Sequence, residues 1–351
     1  MIGFTVARQA TFVAAFTASI GCGYDSTSPY RSPSPSPAVE EGLWTSSAAD
    51  PAILRLAPSQ LLTSGDLLPA TAIFTPSAEL FSVNGIAFAA DGTMWITSED
   101  DSMLVAFAPA SLGRSGSANA TVVISSINGS VSAPSGLAFD RQHRLWVANS
   151  GNGTVVRFDP AQLASSGSPV PAVTISGLGQ PAALAFDAAG SLWVSDIRRN
   201  KIASFSEAQL NTSGFLAPQV VLSSIGATAA TRSLVNPTGI AFDASGNLWV
   251  ANLGNQSVVS FSPAQLGTTG TPVPNVVLSS NAGSLRFPTG LAFDGDGSLW
   301  VIEDEGVLEK FPSTSLGVAG APSPSVRVGL PGYIEFWSVA FWPRPGRLPL
   351  N

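Results

Sequence analysis

Lysine is nearly absent from this 351-residue sequence, which has only Lys201 and Lys310. Basic residues total 16 against 23 acidic residues, so the net charge is −7. A nucleic-acid-binding protein needs a stripe of lysine and arginine side chains that neutralises phosphate groups. The sequence contains no such stripe, and we therefore expect no nucleic-acid partner.

Cysteine and histidine are each represented by a single residue, Cys22 and His143. A disulfide framework and a cysteine-based zinc site both need several cysteines, so both are excluded. A single histidine also excludes any mechanism that requires two. Charged residues make up only 11% of the chain, whereas apolar residues make up 45% and can supply a sizeable core. The 34 glycines and 27 prolines are typical of a chain rich in tight turns.

An uncharged, mostly apolar segment occupies residues 9–20 and is followed closely by Cys22. It is too short to span a bilayer but has the length of the apolar region of a signal peptide. The placement of Cys22 resembles a bacterial lipoprotein signal over residues 1–22. That resemblance implies lipidation of Cys22, membrane contact only through the lipidated N-terminus, and a location in the cell envelope, either periplasmic or on the surface. The alternative is an ordinary cleaved signal with an incidental cysteine and a secreted protein.

The segment from residue 23 to residue 41 is rich in serine and proline. Such a composition cannot bury a core, and proline favours extended polyproline conformations. We interpret the segment as a tether that holds a folded domain away from a surface. A generic disordered leader is the alternative interpretation.

Six copies of one motif fill the rest of the chain. Each copy is marked by a tryptophan, and a leucine follows each tryptophan by 17 residues, or by 16 in the last copy. The tryptophans are Trp44, Trp95, Trp146, Trp193, Trp249 and Trp300. A period near 50 residues is typical of propeller blades with four strands each. The sequence therefore predicts an all-β fold, a six-bladed β-propeller of four-stranded antiparallel blades over residues 42–351.

One copy can be read in full. It predicts a first strand over residues 239–243, a second over 247–252, a third over 257–261 and a fourth, outer strand over 272–278. An Ala-Phe pair recurs in the first strand of every copy, at residues 87–88, 138–139, 185–186, 241–242, 292–293 and 340–341. We expect each tryptophan on a second strand to pack between blades.

The two ends of the chain complete each other in this scheme. The chain opens at residues 42–44 in what is already a second strand, and residues 335–341 supply the missing first strand. Residues 346–350 then echo the start of a second strand. We therefore predict five continuous blades and a sixth that is closed by strands from both ends.

The unit over residues 237–252 resembles NHL-type repeats and, more loosely, is similar to the gluconolactonase and virginiamycin B lyase propellers. The gluconolactonase resemblance implies metal ligands three residues before the alanine of each Ala-Phe pair. Those positions are Asn84, Ser135, Ala182, Thr238, Thr289 and Trp337. Only Asn84 is a suitable ligand, although a divalent cation needs several hard oxygen ligands, so the sequence departs from the lactonase pattern.

The lyase resemblance implies general-base elimination by a histidine. His143 lies where other copies have a turn glycine, so we expect it in an exposed hairpin turn. By the geometry of the family it should lie on the face opposite the usual ligand face. No catalytic residue is therefore assigned.

Candidate ligand-face residues follow the second strands, which end on the side where the first strands begin. Three residues past each tryptophan stand Ser47, Ser98, Asn149, Asp196, Asn252 and Glu303. The adjoining turns carry Glu99, Asp100 and Asp101 in one copy, Asp304 and Glu305 in another, and Asp50 in the split copy between them. The copy on the opposite side of the ring carries Arg198 and Arg199, and Asn84 completes the candidate set.

This uneven charge has two interpretations. The functional one is a polarised rim that holds a cation such as Ca²⁺, which is the one candidate cofactor, or a ligand with a positive end. The other is solvated turn charge that keeps a domain of low charge soluble.

Two function classes follow. The first is an exported, lipid-anchored binding module, monomeric, for an unknown protein, glycan or small-molecule ligand. The second is a lactone hydrolase or lyase of the gluconolactonase or virginiamycin B lyase type with a diverged site. That second function would require carboxylates and asparagines alone to perform the acid–base chemistry. We expect the binding module.

Overall fold

The computed structural model describes residues 41–49, 52–74, 82–126, 129–224, 233–280 and 284–344. Expectations for Cys22, for Asp50 and for the strand-like segment 346–350 lie outside these residues. The described chain forms six sheets around a common axis, with each sheet contributing one blade. The predicted six-bladed propeller is therefore confirmed.

We number blade 1 as the one assembled from both chain ends and count onward along the sequence. The inner strands of blades 1 to 6 are β27 (Phe336–Trp342), β5 (Val83–Phe88), β10 (Pro134–Phe139), β14 (Pro181–Phe186), β19 (Pro237–Phe242) and β23 (Pro288–Phe293). The second strands are β1 (Gly42–Ser47), β6 (Met94–Ser98), β11 (Leu145–Asn149), β15 (Leu192–Asp196), β20 (Leu248–Asn252) and β24 (Leu299–Glu303).

Two further strands complete each blade on the outside. The third strands are β2 (Ala52–Leu56), β7 (Met103–Phe107), β12 (Thr154–Phe158), β16 (Lys201–Phe205), β21 (Ser257–Phe261) and β25 (Val307–Phe311). The outer strands are β4 (Thr71–Phe74), β9 (Val122–Ser125), β13 (Val173–Ser176), β18 (Val220–Ser223), β22 (Val276–Ser279) and β26 (Val326–Gly329). All pairings within these four-stranded sets are antiparallel.

Strands from the two chain ends close the ring, as predicted. Strand β1 pairs antiparallel with β27, with Gly42 opposite Trp342 and Ser47 opposite Phe336. Because inner strands run from the face where Phe336 lies toward the opposite face, Gly42 lies at the end of the axis remote from the start of the inner strands.

Aromatic side chains fill the spaces between blades. In five of the six interfaces the tryptophan of one blade makes an edge-to-face contact with the phenylalanine of the next blade's Ala-Phe pair, at centroid distances of 5.9–6.3 Å. Such pairs contribute about 0.5–1.5 kcal/mol each beyond the area they bury. In blades 3 to 6 the indole N–H also donates to an aspartate six residues earlier, Asp140, Asp187, Asp243 or Asp294. The tryptophans therefore act as packing residues, as the sequence predicts.

Short 3-10 turns connect the third strands to the outer strands. They cover Gln60–Leu62, Pro109–Ser111, Pro160–Leu163, Gln209–Asn211, Gln265–Gly267 and Ser313–Ser315, and a seventh, Leu253–Asn255, follows β20. The outer strand expected over residues 272–278 begins only at Val276. Pro272 and Pro274 have no N–H to donate to the sheet, so the chain joins the ladder after them.

A short parallel backbone pairing joins each blade to the next at the outer edge. The outer strand of each blade pairs with a glycine that follows the 3-10 turn of the next blade, and three of these contacts form the two-residue strands β3 (Gly65–Asp66), β8 (Gly116–Ser117) and β17 (Gly214–Phe215). In five blades a hydroxyl just before the glycine accepts a backbone N–H of that outer strand: Ser64, Ser115, Ser166, Ser213 and Thr269. This contact covers part of an edge that would otherwise be open to another chain.

Candidate functional site

The inner strands surround an axial channel with a volume of about 130 Å³. We call the end where these strands begin the mouth and the opposite end the far end. The six positions three residues before the Ala-Phe alanines all line the channel: Asn84, Ser135, Ala182, Thr238, Thr289 and Trp337. The side chains implied by the gluconolactonase resemblance therefore converge on one ring, but the ring contains a single asparagine and no carboxylate.

The threonine hydroxyls of this ring are used to hold the strands. Thr238 Oγ1 donates to the carbonyl oxygen of Pro288 at 3.1 Å, in the next blade. Thr289 Oγ1 donates to the carbonyl oxygen of Ile302 at 3.1 Å. Because the ring offers no carboxylate and only one amide oxygen, whereas a divalent cation needs several hard oxygen ligands, it does not fit the metal cage of the resemblance.

Below the mouth the channel is apolar. A ring of aliphatic side chains, one from each blade, narrows it: Ile86, Leu137, Leu184, Ile240, Leu291 and Val339. Arg344 lines the channel just after the far end of β27. Burial lowers the pKa of the Arg344 guanidinium to about 10. The channel thus combines a polar mouth, an apolar middle and a cation at the far end.

Asn84 and Glu99 form a hydrogen-bonded pair on the blade 2 side of the mouth. Asn84 is 4% exposed, and its Nδ2 donates to Glu99 Oε2. Its Oδ1 is buried without a hydrogen-bond partner among the described residues. Burial raises the pKa of Glu99, hydrogen bonding from Asn84 opposes the rise, and the charge on Asp100 adds to it. The mouth therefore holds a half-buried acid beside a free carbonyl acceptor.

A second ring of residues surrounds the mouth, four positions past each tryptophan. Each donates its backbone N–H to the residue just before the inner strand of its own blade: Ala48, Glu99, Ser150, Ile197, Leu253 and Asp304. Glu99 and Asp304 flank blade 1, whereas Ile197 and Leu253 lie on blades 4 and 5 and are half-buried. The mouth is therefore acidic on one side and apolar on the other.

Left-handed backbone conformations occur just before most of the inner strands. In five blades the residue just before the inner strand is not glycine and has a positive φ, between 42° and 60°. These residues are Ser82, Ala133, Asn236, Phe287 and Glu335. Such left-handed conformations are costly for residues other than glycine and asparagine, and they cluster at functional sites. Phe287 also leaves an apolar ring 37% exposed beside the mouth.

Four of the predicted ligand-face residues are buried beneath the turns that surround the mouth, which we call the rim. Asn149, Asp196, Asn252 and Glu303 are at most 2% exposed. Each accepts a backbone N–H from the residue 17 positions earlier: Ser132 at 3.1 Å, Gly179 at 2.7 Å, Val235 at 3.1 Å and Arg286 at 2.7 Å. These side chains therefore anchor the loops that lead into the inner strands.

The other predicted residues lie in the turns around the rim. Asp100 accepts a hydrogen bond from Ser82, and Asp101 accepts one from Ser98 at 2.6 Å. Arg198 is exposed. The structure does not bring these turn residues into one cluster with the buried set.

Two ion pairs lie near the mouth, one in blade 4 and one in blade 6. Arg199 lies 3.7 Å from Asp196, and Glu305 lies 3.2 Å from Arg286. Burial raises the pKa of Asp304, and the charges on Glu335 and Glu305 raise it further. Carboxyl groups therefore lie near the mouth on blade 6 as well as on blade 2.

Glu309 is a feature that the sequence reasoning missed. It lies on β25 opposite Val301 and is fully buried. The corresponding positions in the other five blades are all aliphatic: Leu54, Val105, Val156, Ala203 and Val259. A strand-by-strand alignment of the six copies would have found this acid among aliphatic residues.

Glu309 and Glu303 form a buried carboxyl pair. Their side chains interact, and Glu309 also accepts Leu285 N–H at 3.0 Å and Arg327 Nε at 3.2 Å. Burial and then the charge on Glu309 raise the pKa of Glu303 to about 8. Burial raises the pKa of Glu309 too. At neutral pH the pair therefore holds a proton.

Two further expectations concern a metal cluster and His143. Within the described ranges no group of three or more His, Cys, Asp or Glu side chains is arranged to hold a metal ion. His143 is exposed in the turn between β10 and β11, with φ of 59°, at the far end of the blade. The same part of the chain contains no helix with the length and apolarity needed to cross a membrane.

Comparison with known proteins supports the expected resemblance. The family model for the SMP-30/gluconolactonase/LRE-like region matches residues 69–186, about a third of the chain. Comparison with the curated proteins finds no match to this sequence.

Among solved structures, a streptogramin B lyase is 12% identical, with a TM-score of 0.54, over 80% of this chain and 82% of the lyase. A catalytically inactive histidine-to-alanine variant of virginiamycin B lyase from Staphylococcus aureus, with quinupristin, is 13% identical, with a TM-score of 0.53, over 80% and 83%. A chain of the nidogen/laminin complex is 15% identical, with a TM-score of 0.57, over 85% and 97%. At these identities the likeness establishes the propeller fold alone.

Proposed function

We propose that this chain is an exported, lipid-anchored propeller that binds a ligand at the channel mouth rather than an enzyme. One observation carries the proposal: the buried, unbonded Oδ1 of Asn84 stands beside the half-buried carboxyl of Glu99. A buried carbonyl oxygen without a donor is costly, and a ligand N–H would satisfy it.

The charge around the mouth supports a ligand with a positive end. Glu99 and Asp304 lie on the acidic side, and a cationic nitrogen between Glu99 and Asn84 would gain charge-assisted hydrogen bonds. Ile197 and Leu253 on the other side can contact an apolar body. Sites for small ligands commonly combine an apolar wall with a few converging polar groups.

The entry point of the chain suits an anchored protein. Gly42, the first residue of β1, lies at the far end of the propeller. A tether attached there would leave the mouth accessible. Export and lipidation themselves are inferred from residues 1–41 of the sequence, which lie almost wholly outside the described residues.

The test compares an amine with its neutral analogue by isothermal calorimetry. We expect phenethylamine, which has a positive end and an apolar ring, to bind at least about tenfold more tightly than 2-phenylethanol. Replacing the acid by its amide, Glu99→Gln, should weaken binding of the amine about tenfold, because a hydrogen bond to a charged group is worth about 1.5–3 kcal/mol.

The matched control is Asp296→Asn, which removes one negative charge from an exposed turn at the far end. It should leave the affinity for phenethylamine unchanged within about twofold, since surface charges at that distance are largely screened. Equal binding of the amine and the alcohol, or an unaltered affinity in Glu99→Gln, would refute the proposal.

A lactone hydrolase or lyase with a diverged site is the second candidate function. The match to the gluconolactonase-like family over residues 69–186 favours it, because that segment contains Asn84, Glu99 and Asn149. The assay is turnover of a panel of lactones with and without added divalent cation. Rates equal to those in buffer would remove this candidate.

A further inference from the structure

The carboxyl pair of Glu303 and Glu309 accepts hydrogen bonds from a loop that reaches the mouth. Leu285 N–H donates to Glu309 and Arg286 N–H donates to Glu303, so the two acids hold consecutive residues of one loop. The loop covers residues 284–287 and ends at Phe287, whose carbonyl oxygen accepts Asp304 N–H at 3.1 Å. The pair therefore connects the interior of blade 6 to the ring around the mouth.

This loop is held in a strained conformation. Leu285 and Phe287 are both non-glycine residues with positive φ, 53° and 52°. In blade 5 the equivalent loop has one such residue, Asn236, and asparagine tolerates that conformation. A loop with two strained residues needs strong anchors, and here both anchors titrate.

Few charged groups surround the pair of Glu303 and Glu309. On blade 6 the pair faces two charged groups: Arg327 of β26, which donates to Glu309, and Glu305 in the turn after β24. Arg286 contributes only its backbone N–H, because the Arg286 side chain pairs with Glu305. From blade 5 the residues packed in this interface are apolar: Trp249, Ala251, Val258, Val276 and Leu278. The single exposed arginine cannot neutralise two buried carboxylates.

Only one protonation state satisfies the pair. Glu303 Oε2 is buried and bonds no donor among the described residues, so a proton on it would bond Glu309 and meet the need of both side chains. Without that proton two negative charges would face each other in a buried interface, which is strongly unfavourable.

We propose that loss of the proton shared by Glu303 and Glu309 releases the loop of residues 284–287, so that pH controls ligand binding at the mouth. The control of binding rests on the proposed function, whereas release of the loop does not. Release would move Phe287 away from the rim and free the N–H of Asp304.

Trypsin cleavage after Arg286 tests loop release without any ligand. The Arg286 side chain is about half exposed, and cleavage at exposed Arg141, in a turn of blade 3, serves as the internal reference. Because the pKa of Glu303 is about 8, its ionised fraction rises about tenfold between pH 7 and pH 9. We expect the ratio of cleavage at Arg286 to cleavage at Arg141 to rise up to about tenfold over that range.

Glu303→Gln keeps the shape and hydrogen bonds of the protonated acid, so its cleavage ratio should stay within about twofold from pH 7 to pH 9. Glu309→Gln should likewise give a cleavage ratio that does not change with pH, so that the conclusion does not depend on a single variant. Tryptophan fluorescence identical to that of the wild type shows that both variants are folded. Asp196→Asn, a lone acid at the equivalent position of blade 4, should behave as the wild type. A flat wild-type profile, or a wild-type-like profile in Glu303→Gln, overturns the proposal.

Ligand binding is then measured separately. If phenethylamine binds, its affinity should change between pH 7 and pH 9 in the wild type and remain constant in Glu303→Gln. If phenethylamine fails to bind at any pH while the cleavage profile behaves as expected, the proposed function fails and the loop release stands. If it binds with the same pH dependence in both proteins, control of binding by this pair is refuted.

Discussion

Blades 5 and 6 share one backbone plan but anchor the rim with different chemistry. In blade 5, Asn252 accepts Val235 N–H and the third strand contributes the aliphatic Val259. In blade 6, Glu303 accepts Arg286 N–H and the third strand contributes the acid Glu309. An amide carries no charge at any accessible pH, whereas two buried carboxyls repel each other once the proton between them is lost. The same architecture is thus indifferent to pH in one blade and responsive in the next.

The comparison separates what the fold requires from what it tolerates. Four blades use a polar side chain three residues past the tryptophan to hold the preceding loop, and the residue type varies between asparagine, aspartate and glutamate. A second acid beneath that residue occurs only in blade 6 of the described structure. A buried acid at this position needs hydrogen-bonding partners that the aliphatic residues of the other blades do not need, which is the pattern expected of a functional site.

The largest expected effect is on the pH dependence of stability. Because the pKa of Glu303 is raised from 4.5 to about 8, the folded chain binds more protons than the unfolded chain between those values. The free energy of unfolding should therefore fall as the pH rises from about 5 to 8 and stay constant at higher pH. The total decrease is at most about 5 kcal/mol, because each pH unit contributes about 1.4 kcal/mol.

Urea unfolding of the wild type and of Glu303→Gln at pH 5 and pH 8 isolates this contribution. The variant should lose the part of the pH dependence that comes from the pair, while other acids contribute equally to both proteins. An identical difference between the two pH values in both proteins would show that the pair does not titrate in this range.

The second prediction removes the two anchors in turn. Asn252→Ala should lower the free energy of unfolding by about 2–4 kcal/mol, because Val235 N–H is left buried without its acceptor and two further hydrogen bonds are lost. Glu303→Ala at pH 8 should cost less, since it also removes the unfavourable partner of Glu309. Chemical denaturation at pH 8 measures both, and an equal or larger loss in Glu303→Ala contradicts the comparison.

The smallest effect concerns the residues that enter the inner strands. Phe287 and Asn236 occupy equivalent positions with φ of 52° and 48°. Phe287→Asn should stabilise the protein by about 0.5–1 kcal/mol, because asparagine adopts this conformation more readily. Asn236→Phe should destabilise by a similar amount. Melting temperatures that move the same way in both variants would argue against strain as the cause.

The tryptophan spacing and the Ala-Phe pairs predict the blades and the split closure because each marks one strand of a repeating unit. Backbone pairing then follows from the period, since each strand can bury its residues only against its neighbours. The outer strand of blade 5 begins later than predicted because Pro272 and Pro274 cannot donate to the ladder. Boundaries depend on single backbone donors, which a period does not specify.

The candidate site was harder to predict for a different reason. Spacing places Asn252 and Glu303 at the mouth end of their strands, but it does not reveal that the preceding loop folds over them and takes up their hydrogen-bonding capacity. The gluconolactonase resemblance singles out Asn84, and the structure adds its contact with Glu99. The role of the candidate residues in binding stays a prediction.

The closing pair of strands has a mechanical consequence. Gly42 is paired with Trp342 at one end of the β1–β27 strand pair. A force that pulls these two residues apart would therefore break the hydrogen bonds between the strands one after another instead of all at once. The ring would then peel open at low force. A protein held through only one of its ends does not experience that load, so the proposed attachment through residues before Gly42 would leave the closing strand pair intact.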